Sequence, residues 1–124
     1  MSQPVTKERL ARLATLRREV TRTKKRLAAL EERREKRQTR AVETAYTAAR
    51  SALERYLCEM HTEEAELLGY IQRIEDAEVR ELFMLRYYDD VRSWQHIAFL
   101  MGEHDESYVR RKHNAYLKRE TAGG

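Results

Sequence analysis

Apolar residues return on a single stripe through the first third of the chain: Leu13, Leu16, Val20, Leu27 and Leu30, with Thr23 in the vacant heptad place. Spacings of three and four residues bring side chains to one face of a helix. Since no helix breaker stands between Val5 and about Gln38, the stripe predicts an amphipathic helix or coiled-coil strand. A second stripe runs through Tyr46, Ala49, Leu53, Tyr56, Met60, Leu67, Tyr70 and Ile74, interrupted at Glu63 and widened by Leu57, Leu68 and Ile71. The connection "KRQTRAVETAYT" holds β-branched Val42, Thr44 and Thr47 but neither Gly nor Pro. Its break is weakly specified, so residues 5–73 read as an intrachain hairpin or as one continuous helix paired between chains.

After Ile74 the elements shorten. Asp76 is placed to cap a helix whose Val79, Leu82, Phe83, Leu85 and Arg86 stem lie toward one side, and Asp89 and Asp90 suit a turn. Ser93 is then an N-cap for "WQHIAFLM", a helix of little more than two turns that stops at Gly102, where a left-handed residue is tolerated. Asp105 or Ser107 caps a last helix ending near Arg119. Trp94 is read as core packing over the junction with the preceding segment, and of Tyr87 and Tyr88 one packs while the other faces solvent. The fold class is all-α: a long N-terminal helical hairpin or coiled coil, residues 5–73, followed by a three-helix helix-turn-helix domain, residues 74–120. A disordered tail is expected at 121–124. The single proline and the abundance of Ala, Leu, Glu, Arg and Lys agree with this reading.

A net charge of +4 says little until its distribution is seen. Residues 1–40 carry 14 Lys or Arg against 5 acids, residues 41–78 carry 3 against 9, and residues 79–124 carry 8 against 7. The first long helix is therefore basic and the second acidic, and the simplest expectation is that opposite charges pair along the flanks of their seam. The lone Cys58 has no partner for an internal disulfide, and no apolar run approaches the roughly 18 residues of a membrane span. The start "MSQPVTKERL" has no apolar stretch of a secretory signal, so the expected setting is the cytoplasm, with no membrane partner. Cys58 and His61 put two metal-ligand types on one helix face, but zinc needs about four ligands and no second pair stands nearby in sequence. No nucleophile, base or carboxylate pair forms a catalytic pattern. The chain reads as a non-enzyme without cofactor or metal.

A short helix, a glycine turn and a second helix with exposed cations make the helix-turn-helix plan. In that plan Ile97, Ala98, Met101 and Val109 pack the two helices together. Arg110, Arg111 and Asn114 project from the face opposite Val109 and Tyr116, and Lys118 follows a turn later. Arginine reads guanine and asparagine reads adenine because each makes two hydrogen bonds to a base edge in the major groove. Ser93 and Gln95, at the start of the supporting helix, are candidates for phosphate, and Ser107 and Lys112 complete the basic helix's DNA-contacting set.

"LFMLRYYDDVRSWQHIAFLMG" followed by "YVRRKHNAYL" resembles the region 4 fold of sigma factors, and more closely the small phage late-transcription regulators of the ArpU and RinA kind. The likeness spans about residues 74–119 and is carried by Leu85, Arg86, Tyr87, Ser93, Trp94, Ile97, Ala98, Met101, Gly102, Val109, Arg111, His113 and Leu117. It implies a phage or prophage regulator of late genes that binds double-stranded DNA as a homodimer or higher oligomer in a bacterial host cell, with RNA polymerase as a further partner. It also implies a phosphate contact for His113. The segment from Gly102 to Val109 is one residue longer than the family pattern, Glu103 stands in place of an apolar or aromatic residue, and Lys112 in place of an apolar one. With Asp105 and Glu106 these make an acidic turn. Two rival readings follow: a coiled-coil interaction protein whose degenerate helix-turn-helix binds RNA polymerase or another protein, and a DNA-packaging protein resembling a small terminase subunit.

Overall fold

A computed structural model describes residues 3–123, with side chains through Glu120. Every regular element among them is helical and no strand is present. No helix among the described residues is long and apolar enough to cross a membrane. The elements are α1 (Lys7–Ala11), α2 (Leu13–Lys36), α3 (Arg40–Gln72), α4 (Ala77–Phe83), a π-helical turn (Met84–Tyr88), α5 (Trp94–Leu100) and α6 (Glu106–Gly123). α6 runs on to Gly123, past the end near Arg119 expected for it, so residues 121–123 of the expected disordered tail are helical, and Gly124 lies outside the described residues.

The first helical stretch begins at Lys7, ahead of the apolar stripe that starts at Leu13, and is interrupted once. Thr6 caps α1 by accepting the Arg9 N–H at 3.2 Å, and the chain makes a turn at Arg12 before α2 begins. The break between α2 and α3 falls at residues 37–39. There Thr39 caps α3, its hydroxyl accepting the Val42 N–H at 3.2 Å. A threonine three residues ahead of a helix's exposed amide is a start signal that needs neither glycine nor proline.

The chain packs as two compact units. One comprises Thr15–Ala65; the other joins the chain up to Ala14 with the chain from Glu66 onward. The division therefore lies within α2 and α3, not at the 73/74 boundary expected from the pattern. In the Thr15–Ala65 unit the stripe positions turn inward, with Leu16, Val20, Thr23, Tyr46 and Met60 at 4–8% exposure. Leu27, Leu30, Ala49 and Leu53 are half-buried. Tyr56 donates to Glu19 at 2.8 Å, Tyr46 donates to Glu31 at 2.6 Å, and Arg34 pairs with Glu43 at 2.9 Å. Later residues of α2 meet earlier residues of α3, so the two helices run antiparallel. Near the turn the Arg34 guanidinium also lies over the Tyr46 ring, 4.7 Å from its centroid.

The other unit has the denser core. Leu10, Leu13, Leu67, Ile71, Phe83 and Ile97 have no exposed surface, and Leu82 and Val109 have 1%. Fully burying such a side chain is worth about 1.5–3 kcal/mol, which makes this cluster the main source of the unit's cohesion. Arg9 adds a half-buried ion pair to Glu66 at 3.4 Å.

Candidate functional site

The part of the chain with the sharpest local geometry is α5, its turn and α6. Ser93 accepts the His96 N–H at 3.2 Å and starts α5. At the other end Gly102 takes φ +75°, while its N–H reaches the Phe99 carbonyl at 3.1 Å and the Glu103 N–H reaches the Ala98 carbonyl at 2.8 Å. This pair of bonds is the Schellman motif, in which a left-handed residue closes the last turn of a helix. Asp105 then starts α6, its carboxylate accepting the Ser107 N–H at 2.9 Å. Ile97 and Ala98 on α5 and Val109 on α6 are all 3% exposed or less, which fixes the angle between the two helices.

A ring of aromatic side chains holds α6 from behind. His113 is 1% exposed, its ring centroid 5.2 Å from Phe83, 4.9 Å from Trp94 and 5.6 Å from Tyr87. Its Nε2 meets the Tyr87 hydroxyl at 2.5 Å and its Nδ1 meets Asn114 Oδ1 at 2.9 Å. These partners fit a neutral imidazole that donates from Nδ1 and accepts at Nε2. Burial holds its pKa below the usual histidine range, partly opposed by the Asn114 bond, and burial pushes the Tyr87 hydroxyl up to about 12. His113 is thus a core residue and does not reach phosphate, contrary to expectation. A ring between two hydrogen-bond partners and three aromatic neighbours has no face left for solvent.

The π-helical turn sets up this packing. Its wider winding sends the Asp89 N–H to the Met84 carbonyl, after which Asp90 adopts φ 58°, a left-handed conformation that aspartate tolerates better than most residues. Tyr87 is buried and Tyr88 half-buried, while the Arg86 guanidinium lies 4.2 Å from the centroid of Trp94 and donates to the Arg92 carbonyl. Trp94 is therefore held between Arg86 and His113, as its reading as a packing residue requires.

Lys112 is also committed within the fold. Its ammonium lies 3.1 Å from Glu78 and 3.5 Å from Asp76, the residue that caps α4. Hydrogen bonding to Glu78 raises the Lys112 pKa, and hydrogen bonds from Tyr108 and Lys112 hold the Glu78 carboxyl below its ordinary range. Lys112 ties α6 to the start of α4 and is not a free cation for a ligand, a second departure from expectation. Its spacing on the helix, three residues past Val109 and one before His113, puts it at the edge of the packed face.

The other expected site residues separate by what they already hold. Ser93 caps α5, and Ser107 sits half-buried in the first turn of α6. Asn114 is exposed, but its carbonyl oxygen is held by His113, leaving the amide NH2 as its outward-acting group. Arg111 lies 3.9 Å from Asp105, a long contact between two exposed groups and a weak one. Gln95, Arg110 and Lys118 are exposed. Ser107, Arg111, Asn114 and Lys118 follow at spacings of four, three and four, so they share one face of α6, with Arg110 beside it.

One feature of α5 escapes the sequence pattern. Phe99 is 77% exposed and Leu100 45% exposed, although the run "IAFLM" is apolar throughout. Periodicity identifies a buried face only where polar residues mark the other one, and here none do. Phe99 borders a groove lined with Gln95, Ala98, Glu103, His104 and Glu106. No family model, curated protein or solved structure matches this chain.

Proposed function

We propose that the protein is a sequence-specific DNA-binding regulator in which α5 and α6 form a helix-turn-helix and α2 and α3 form a helical hairpin that serves self-association. The observation that carries this reading is the two-helix corner. A capped short helix, a left-handed Gly102 and the buried Ile97, Ala98 and Val109 hold α6 with one face against the core and the other outward. The outward face presents Arg110, Arg111, Asn114 and Lys118. In the major groove Arg110 and Arg111 would read guanine, while Asn114 acts as a single donor to a purine N7 or a phosphate because His113 holds its carbonyl. Lys118 supplies phosphate attraction, and self-association would combine two weak half-sites into one specific site. The resemblance to small phage late-transcription regulators supports this reading, with late promoters as the proposed targets.

Selection of binding sites from a random duplex library by the full chain is the test. A shared motif should emerge, and Arg110→Ala with Arg111→Ala should abolish its enrichment while leaving the helical spectrum intact. Bound pools without a motif would refute sequence-specific recognition.

Phe99 and Leu100 favour a second reading, in which α5 offers a protein-binding surface. An exposed apolar pair beside the carboxylates of Glu103 and Glu106 suits a partner with an apolar anchor and basic flanks, RNA polymerase among the candidates. Phe99→Asp should then abolish co-purification with polymerase without altering DNA affinity; retention of the complex by that variant would remove the reading.

A further inference from the structure

Part of the charge of the basic first helix lies away from the seam with α3. In the Thr15–Ala65 unit Arg34 pairs across the two helices with Glu43, and two carboxylates of α2 are engaged by tyrosines of α3: Glu19 by Tyr56 and Glu31 by Tyr46. On the face of α2 opposite the seam, spacings of three, four, four and three lead from Arg22 through Lys25, Ala29 and Arg33 to Lys36, all exposed. Arg26 and Arg37 flank them, also exposed. Among the described residues Arg22, Lys25, Arg26, Arg33 and Arg37 have no carboxylate at ion-pairing distance, and Lys36 has only the exposed Glu32 at 3.3 Å. A surface pair of that kind is worth at most about 1 kcal/mol and yields readily to a competing anion.

We infer that this ridge of α2 is a docking line for the phosphate backbone of nucleic acid. From Arg22 to Lys36 it runs about 21 Å at 1.5 Å per residue, long enough to meet several successive phosphates. Four of its six cations are arginine, whose planar guanidinium engages phosphate through two parallel bonds. The centre of the line is Ala29, the carboxylate beside it is Glu32 at the Lys36 end, and no large apolar residue on it could insert into a lipid surface. From Arg22 to Ala29 the outer face of α2 carries cations without a carboxylate, and its exposed acids, Glu32 and Glu35, lie toward the Lys36 end. The ridge reads no sequence; it adds affinity and charge-driven encounter, independently of what α6 reads.

The test uses the full chain and a fluorescent duplex of arbitrary sequence, with anisotropy titrations across a salt series. In the Arg110→Ala, Arg111→Ala background, binding should persist. Adding Arg22→Gln, Lys25→Gln, Arg33→Gln and Lys36→Gln should weaken it at least tenfold at low salt and flatten the slope of log K against log salt by about three to four, since each neutralised phosphate contributes about 0.9. Glutamine keeps these solvent-facing positions helical, which circular dichroism verifies. Unchanged affinity and slope in a folded variant would overturn the proposal, and so would tighter binding of the parent chain to phosphatidylserine vesicles than to the duplex at equal salt. If the ridge substitutions have no effect while α6 still selects a motif, the proposal fails and the regulator reading stands. If no motif is selected but the ridge substitutions abolish duplex binding, the ridge stands and the regulator reading fails.

Discussion

The two compact units bury their side chains to different depths. Around Phe83 the core is nearly sealed, with Ile71, Ile97 and Phe83 at 0% and Val109 at 1%, and it includes a histidine whose ring nitrogens both have partners. Between α2 and α3 the least exposed side chains retain 4–8%, one of them is Thr23, and tyrosine-to-carboxylate bonds supply much of the cross-helix contact. A sealed core fixes the direction of the side chains around it, as the reading face proposed for α6 requires. A thin seam leaves its helices dependent on propensity and polar tethers, but it exposes long outer faces for charge. Precision and charge are thus assigned to different parts of the chain.

The largest effect that sharpens this contrast should come from Phe83→Ala. Phe83 contacts Tyr87, His113 and Tyr116 through its ring and has no exposed surface, so its loss should cost about 3–5 kcal/mol. Met60→Ala in the thinner seam should fall near the low end of its class, about 2 kcal/mol, because partial exposure lets the site relax. Denaturant titration of both variants decides the matter, and equal losses would break the contrast. Gly102→Ala should cost about 1–2 kcal/mol: the space beside it is open, so the penalty is that of a side chain at φ +75° alone. A neutral substitution there would mean that the turn relaxes freely.

A smaller effect follows from His113. Its folded pKa is lowered, so between the folded value and the ordinary unfolded value near 6.5 the unfolded chain binds the extra proton. The associated stability is complete above about pH 6.5 and declines as pH falls below it. Asp76 and Glu78, whose pKa values are also lowered, lose their contribution further toward acid as they are protonated. Thermal melts of the native chain should therefore weaken between pH 7 and pH 5, and His113→Phe should flatten that part of the profile. A slope unchanged by the substitution would place the titration elsewhere.

Much of the architecture was legible from the sequence because it depends on local chemistry. The stripes at Leu16, Val20 and Thr23, the caps at Asp76 and Ser93 and the left-handed glycine at 102 each follow from spacing or from a residue's own conformational preference. The start of α3 rested on Thr39, a cap signal easily missed without a glycine or proline beside it. The π-helical turn has no period of its own, and the compact unit that gathers Leu10 and Leu13 with Phe83 depends on contacts distant in sequence. Within the site, periodicity located the outward face of α6 but not the commitments of individual residues. Lys112 and His113 look basic and available in a linear reading; Glu78 and Asp76 hold one, and Tyr87, Trp94 and Asn114 enclose the other.

The proposed function has Arg110 and Arg111 on α6 touching base edges in the major groove. Methylation interference on a selected site measures this directly, because a methyl group on guanine N7 blocks an arginine that reads that edge. Methylation of particular guanines should abolish binding by the native chain, and Arg110→Ala with Arg111→Ala should lose sensitivity to those same guanines. Identical interference profiles for the two proteins, or no interference at any guanine, would contradict it.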